Sequence, residues 1–466
     1  MKKITQFYLV SLVFSVTLFT CFSGKSEAVL SPDAELLDGR WTELVRKYEN
    51  PHLWVENASG DVASADAALK MPLQSAPRLE VLARWWEVLS DDTLTQLVGW
   101  SLKSNRDLQS ARAVVLESRA ALGVSRAANL PWLDNADFWT RAKTSENGTG
   151  TGQTANLHHL GIDASWEIDL FGQNRENVKA AAATLEANYA SLHGAWVSLS
   201  SEVTLTYLSL RTLQERLRIA RENLELRTDT LELLQSQYAA GLTNALAMNQ
   251  AQYSVEQTRA SIPMLRTSVE ETLNALAVLV GKLPGSLEIL LGEQKPLPKP
   301  DAVELIGIPA EALRQRPDIR AAERRLAAQI ARRRSAEKDL LPKFSLLGSI
   351  GLESFSSGNL FDGDSFGFSF GPRLTLPLFH GGAIRKNIQV QTAREEQLLA
   401  AYEQTVLSSV GEVRNALTAN VQERERNASL LRGVEAARNA YEAAEDLYRH
   451  GLTDFNNVIL TQQALL

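Results

Sequence analysis

One architectural plan is written twice in this chain, about 210 residues apart, and a unit of that length excludes an array of short repeats. Asn105-Arg106-Asp107-Leu108 opens a predicted helix that ends at Leu130-Pro131. Arg316-Pro317-Asp318-Ile319 opens a second, ending at Leu341-Pro342. After each proline come an alternating stretch, a polar Gly/Ser/Asn loop and another alternating stretch. Leu170-Phe171-Gly172 closes the first pair and Leu378-Phe379-His380-Gly381 the second. Both halves continue into a long heptad helix, broken at Tyr238-Ala239-Ala240-Gly241-Leu242-Thr243 and at Tyr448-Arg449-His450-Gly451-Leu452-Thr453. The duplicated unit is a helix–hairpin–helix module, mainly α with a pair of β-hairpins.

The alternation carries the first constraint. Leu160, Ile162, Ala164, Trp166, Ile168 and Leu170 occupy one strand face, against Gly161, Asp163, Ser165, Glu167 and Asp169 on the other. Phe366, Phe368, Phe370, Leu374, Leu376 and Leu378 repeat the pattern, as do Phe344, Leu346, Ile350 and Leu352 after Pro342. The stretch after Pro131 alternates more weakly, although Trp132, Phe138 and Trp139 suit an interfacial strand. These lengths match the ~9–11 residues of a bilayer-spanning strand. Two soluble hairpins on a core are the alternative. If the strands do span a membrane, four cannot close a barrel and open edges are untenable in lipid, so several copies must pool them.

The second constraint is helix length. From Gln173 to Ala240 there is no proline, and Gly194 is the sole glycine. Tyr189, Trp196, Val203, Leu210, Leu217, Leu224, Leu231 and Tyr238 recur at seven-residue spacing, with Leu192, Leu199, Leu213, Ala220 and Leu234 as companions. Such a seam predicts a left-handed coiled coil of roughly 100 Å at ~1.5 Å per residue. Leu399, Val406, Val413, Leu430, Val434, Ala437, Tyr441, Ala444 and Tyr448 mark the second rod. Each rod ends in Gly-Leu-Thr, which reads as a hairpin turn, the glycine relieving a left-handed residue and the threonine capping the next helix. A dimeric coiled-coil rod is the alternative, but it gives no reason for a lipid-type hairpin ahead of each rod.

The N-terminus reads as a secretory signal over residues 1–28: Lys2-Lys3, an apolar core from Phe7 to Phe22, then Ser26-Glu27-Ala28. Cys21 is the only cysteine. It belongs either to a cleaved signal or, in Leu18-Phe19-Thr20-Cys21, to a lipoprotein signal that would be acylated there. A chain without it has no thiol or disulfide chemistry. The formal charge is −7, and removing residues 1–28 takes away three lysines and one glutamate, leaving about −9. That disfavours nucleic acid. After Val29 no stretch approaches the ~20 apolar residues of a spanning helix. The predicted organisation is a signal over 1–28, a first repeat with an N-terminal segment over 29–280, a Pro/Gly-rich connector over 281–310 and a second repeat over 311–466.

No constellation of catalytic, metal-binding or cofactor-binding residues emerges. His158 and His159 are adjacent and point to opposite strand faces. Gly381-Gly382 lacks the Lys-Ser/Thr of a phosphate loop. Asp163, Glu167 and Asp169 suit a wet lumen better than paired catalysis. The run Arg324-Arg325 and Arg332-Arg333-Arg334 reads as a solvated helix face. A non-enzyme is expected.

With these elements assembled, the chain resembles the TolC-like outer membrane factors, in their lipoprotein efflux branch. The resemblance rests on Arg84-Trp85-Trp86, Asn105-Arg106-Asp107-Leu108, Trp166 to Gly172, Ala275 to Gly281 and, most specifically, Arg316 to Glu323, and covers residue 40 onward. It implies a homotrimer with a twelve-stranded outer membrane β-barrel continued by an α-helical coiled-coil barrel across the periplasm of a Gram-negative bacterium. It also implies a periplasmic adaptor and an inner-membrane pump as partners. The adaptor-contact tips would be Ala240, Gly241, Leu242, Thr243, His450, Gly451, Leu452 and Thr453. The family's gate Asp falls on Asn457, with Asp454 beside it, so the expected gate is Asp454 and Asn457, and a neutral ring at Asn457 would attract cations less. The first half runs well past its tip to Gly281, whereas the chain ends at Leu466, so the last helix is expected to be shortened. Efflux of small solutes leads. A type I protein-secretion duct shares the fold, and a structural periplasmic coiled-coil protein is the reading from another class.

Overall fold

The computed structural model describes residues 84–148, 152–298 and 313–465. The signal region, Cys21 and part of the connector lie outside them. After a 3-10 turn (Trp85–Leu89) come α1 (Asp92–Ser104), α2 (Arg106–Ala127), β1 (Trp132–Asn135), β2 (Phe138–Lys143), β3 (Thr154–Ile168), α3 (Gln173–Ala239), α4 (Ala245–Leu279) and a short α5 (Glu288–Leu291). The second half supplies α6 (Pro317–Lys338), β4 (Lys343–Ser354), β5 (Phe366–Thr375), α7 (Ala383–Arg449) and α8 (Phe455–Leu465). The chain is mostly helical. α3 and α7 have 67 residues each, as the heptads require. No described helix is long and apolar enough to cross a membrane.

Two compact units divide the chain. One contains residues 113–191 and 320–405. Its sheet is antiparallel, with β1 and β2 both on β3, then β4, then β5. β1 and β2 form one interrupted line: Asn135 faces Ile162 and Phe138 faces His159 in the same register. At the break Gly161 N–H donates to the Asp137 carboxylate at 3.2 Å in place of a backbone carbonyl. The register brings Ile162, Ile350 and Phe368 side by side, and likewise Leu160, Leu352 and Phe366. On the opposite face Asp163, Ser349 and Ser369 align, as do Gly161, Gly351 and Gly367. A Cβ on Gly351 would lie 2.6 Å from the Leu160 carbonyl oxygen and one on Gly161 2.9 Å from the Ile350 carbonyl oxygen, so these two glycines are sterically required, whereas Gly367 has open space.

Several expectations need correction here. Trp132 and Phe138 pair with Ser165 and His159, and so fall on the polar face, Phe138 stacking on His159 at 4.8 Å. Asp169 lies beyond β3 and accepts the Arg175 N–H at 2.9 Å, tying down the start of α3 rather than lining a strand face. Leu376 and Leu378 lie beyond β5. The arginines of α6 are not simply solvated. Arg324 bonds Glu186 at 3.2 Å, Arg325 donates to Ser191 at 2.9 Å and Arg333 bonds Glu395 at 2.6 Å, stapling α6 to α3 and α7. Ala180 and Ala187 of α3 and Ala328 and Ala331 of α6 are buried.

The other unit holds residues up to 112, 192–319 and 406–466. Trp85, Leu94, Leu97 and Val98 are buried in it, with Val203, Tyr207, Leu208 and Leu210 of α3. Arg211 is fully buried. It donates to Gln214 at 2.7 Å and to the Glu293 carbonyl at 2.7 Å, and its Nε donates to the Tyr207 hydroxyl at 3.2 Å. Burial, and the hydrogen bond to Asp91, push the Tyr207 phenol up to about 12. The first part of the predicted connector is thus anchored by its backbone. Along α3 the predicted seam is buried at Val203, Leu210, Leu217 and Leu231, whereas Tyr238 is exposed where the helix ends.

Candidate functional site

The two predicted tips are built alike. At the first, Gly241 has φ +73°, its N–H donates to the Tyr238 carbonyl at 3.0 Å and the Leu242 N–H reaches Gln237 at 2.8 Å. At the second, Gly451 has φ +70°, its N–H donates to Tyr448 at 2.9 Å and the Leu452 N–H reaches Leu447 at 2.9 Å. Each is a helix stop in which a left-handed glycine lets two amides satisfy the last carbonyls. The turn then leaves Leu242 and Leu452 in solvent, 78% and 73% exposed. Ala240, Thr243, His450 and Thr453 complete the two loops.

The helix restarts differ from expectation. Asn244, not Thr243, caps α4, its side chain accepting the Ala247 N–H at 3.0 Å. Both residue types can cap, and only the backbone geometry decides between adjacent candidates. At the second restart Asp454 precedes α8, and its carbonyl accepts the Asn457 N–H at 3.1 Å. Asn457 lies in the first turn, and its amide donates to the Thr453 hydroxyl at 2.7 Å. Asp454 and Asn457 are both exposed.

Beneath the tips lies a core of Leu231, Leu234, Ala251, Val255, Ala444, Phe455 and Val458. Tyr448 packs on Phe455 with ring centroids 5.3 Å apart, and its hydroxyl donates to Gln237 at 3.1 Å, joining the two hairpins. Burial raises the Tyr441 and Tyr448 phenols. Arg227 is buried here too, donating to the Ser254 hydroxyl at 2.6 Å, and burial lowers its guanidinium. The sequence reading did not single out Gln237, Arg227 or Ser254. Arg227 stands where the second half has Ala437, and that break in the repeat was the available signal.

Among the described residues no group of three or more His, Cys, Asp or Glu side chains could hold a metal ion. The geometry is that of two capped hairpin ends with exposed leucines, and of a sheet with one apolar and one polar face. The model of the family described as outer membrane efflux protein matches residues 97–282 and 308–466. The chain belongs to the outer membrane efflux protein family. It is 31% identical over 395 residues to nodulation protein T of Rhizobium leguminosarum bv. trifolii, covering 82% of this chain and 81% of that one. It is 30% identical over 426 residues to the toluene efflux pump outer membrane protein TtgF of Pseudomonas putida, covering 91% and 88%. Among solved structures, the outer-membrane channel OprN superposes with a TM-score of 0.78 at 34% identity, covering 82% of this chain and 86% of that one. The TolC-like resemblance, the outer membrane location and the efflux role expected from the motifs agree with these findings. This outer membrane efflux protein keeps both tip turns of the duplicated plan.

Proposed function

We propose that this efflux protein is the passive exit duct of a tripartite export assembly, without enzymatic activity. Three copies pool their strand lines into a twelve-stranded barrel, and the paired rods form a tunnel whose tips, at Gly241-Leu242-Thr243 and Gly451-Leu452-Thr453, contact a periplasmic adaptor coupled to an inner-membrane pump. The observation that carries the reading is the sheet register, which collects Ile162, Ile350 and Phe368 on one face and Asp163, Ser349 and Ser369 on the other. Among the described residues β1, β2 and β5 pair on one side only. Such edges in lipid require partner strands. The likeness to a toluene efflux protein favours small organic solutes as cargo over secreted protein.

The test is an arginine scan of the two faces. Ile162→Arg or Phe368→Arg should cost ~2–4 kcal/mol at mid-membrane depth, with Ser369→Arg far milder. Equal costs on both faces, or a monomeric mass in mild detergent, would remove the barrel. For the gate, threefold symmetry would bring three Asn457 amides together near the axis. Asn457→Asp should then raise cation selectivity in planar bilayers, and unchanged selectivity in an assembled channel would exclude Asn457 from the constriction.

A further inference from the structure

We propose that the junction between the sheet and the helices is a collar for anionic glycerophospholipids. This rests on the sheet being embedded in the outer membrane. At the helix-side ends of the strands an apolar belt is exposed: Leu130, Leu170, Phe171, Leu378 and Phe379. Within the first helical turns beyond it stand the cations Arg126, Arg175, Lys179, Arg385 and Lys386, all exposed. An apolar belt followed by cations is the layering of hydrocarbon and headgroup.

The charges at this level are sorted by depth. Asp169 and Glu176 are only 11% and 7% exposed, whereas their partners Arg175 and Lys179 are 66% and 51% exposed. Glu176 binds Lys179 at 2.8 Å and Lys338 at 3.5 Å, and Asp339 binds Lys343 at 3.3 Å and the Gln173 amide at 2.6 Å. The carboxylates are thus engaged within the protein while the cations face outward. The other end of the sheet has the opposite balance, with Glu146, Glu353, Asp362 and Asp364 against Arg141 and Lys143. A phosphate-bearing lipid therefore fits the helix side and is repelled from the loop side. The neighbouring belt holds acyl chains, which a free phosphate lacks.

The full chain, purified in neutral detergent, is offered phosphatidylglycerol and phosphatidylcholine of matched acyl chains, and retained lipid is counted by native mass spectrometry. Phosphatidylglycerol should be preferred by about fivefold or more, since each cation near an anionic surface contributes on that scale, and high salt should erode the preference. Arg126→Gln with Arg385→Gln and Lys386→Gln, none of which holds a junction carboxylate, should bring it close to unity. The charge-keeping Arg126→Lys, Arg385→Lys, Lys386→Arg variant should retain it. Equal retention of the two lipids by the unaltered chain overturns the collar while leaving the membrane reading intact. So does an unchanged preference in the neutral variant, and displacement by excess inorganic phosphate reduces the collar to a simple anion site. Failure to insert into vesicles of either lipid overturns the membrane reading as well.

Discussion

In the first half, α2 is entered through Asn105, whose Oδ1 accepts the Leu108 N–H at 3.0 Å while its amide donates to the Leu279 carbonyl at 3.0 Å. In the second, α6 is entered through Arg316, which grips Asp318 with Nε–Oδ1 at 2.9 Å and Nη2–Oδ2 at 2.7 Å and reaches Glu412 at 2.6 Å. Pro317 takes the first helical position, where a missing N–H costs nothing. The backbone plan is shared, but a neutral cap tied to α4 has become an ionic clamp tied to α7. The tips show the converse. Their turns are nearly identical, yet the second is braced by Tyr448 on Phe455, while Tyr238, the equivalent of Tyr448, is exposed. Duplication preserves where a helix starts and stops more strictly than what holds it there.

The largest effects are expected at the tips. Proline fixes φ near −65°, incompatible with the positive φ at Gly241 and Gly451, and it deletes the N–H that each donates. Gly241→Pro and Gly451→Pro should each abolish export, with the sheet still folded and the protein still extracted from membranes. Because Phe455 and Tyr448 belong to the packed region under the tips, Gly451→Pro should also lower the unfolding midpoint more than Gly241→Pro. Gly→Ala at either position should cost only about 1 kcal/mol. Normal adaptor cross-linking in both proline variants would show that the tips are not contact sites, and equal midpoints would erase the contrast between them.

The helix entrances come next. Arg316→Ala removes the paired charge-assisted bonds to Asp318 and should cost about 2 kcal/mol, because the carboxylate left behind is partly open to solvent. Arg316→Lys should recover little, because an ammonium cannot make the paired bonds. Asn105→Ala removes one cap and one donor and should cost about 1–2 kcal/mol. Denaturant titration of each variant decides, and a larger loss at Asn105 than at Arg316 would reverse the proposed ranking.

Much of this was legible in the sequence, for reasons that also mark the boundary. The strands β3, β4 and β5 announced themselves because one face is apolar over many residues. The line through β1 and β2 did not, since its ladder breaks where Asp137 substitutes for a carbonyl, and two of its aromatics sit on the polar face. The glycines of the tips were readable because only a left-handed residue explains their place after a long helix. The cap at Asn244 was not, because Thr243 beside it is chemically as apt. Buried charge was the least visible. Nothing local tells that Arg211 is enclosed among carbonyls, or that the arginines of α6 find Glu186 and Glu395, which are remote along the chain.

The smallest effect separates the two entrances by pH. Burial pushes the Asp318 carboxyl up, but the hydrogen bonds and charge of Arg316, with the Ile319 amide, outweigh it and hold the carboxyl below the usual carboxylate range. A folded-state value depressed below the unfolded one contributes stability above the unfolded value, near pH 4. That contribution is lost as pH falls through the depressed folded value. The first entrance has a neutral asparagine and no such dependence. Asp318→Asn should therefore be less stable than the unaltered chain at neutral pH. Its deficit should shrink steadily as pH drops below about 4, while the deficit of Asn105→Ala stays flat across the same range. Thermal midpoints measured in one detergent at matched ionic strength would show the two curves. A deficit for Asp318→Asn that does not change with pH would mean that the clamp at Arg316 acts through shape rather than charge.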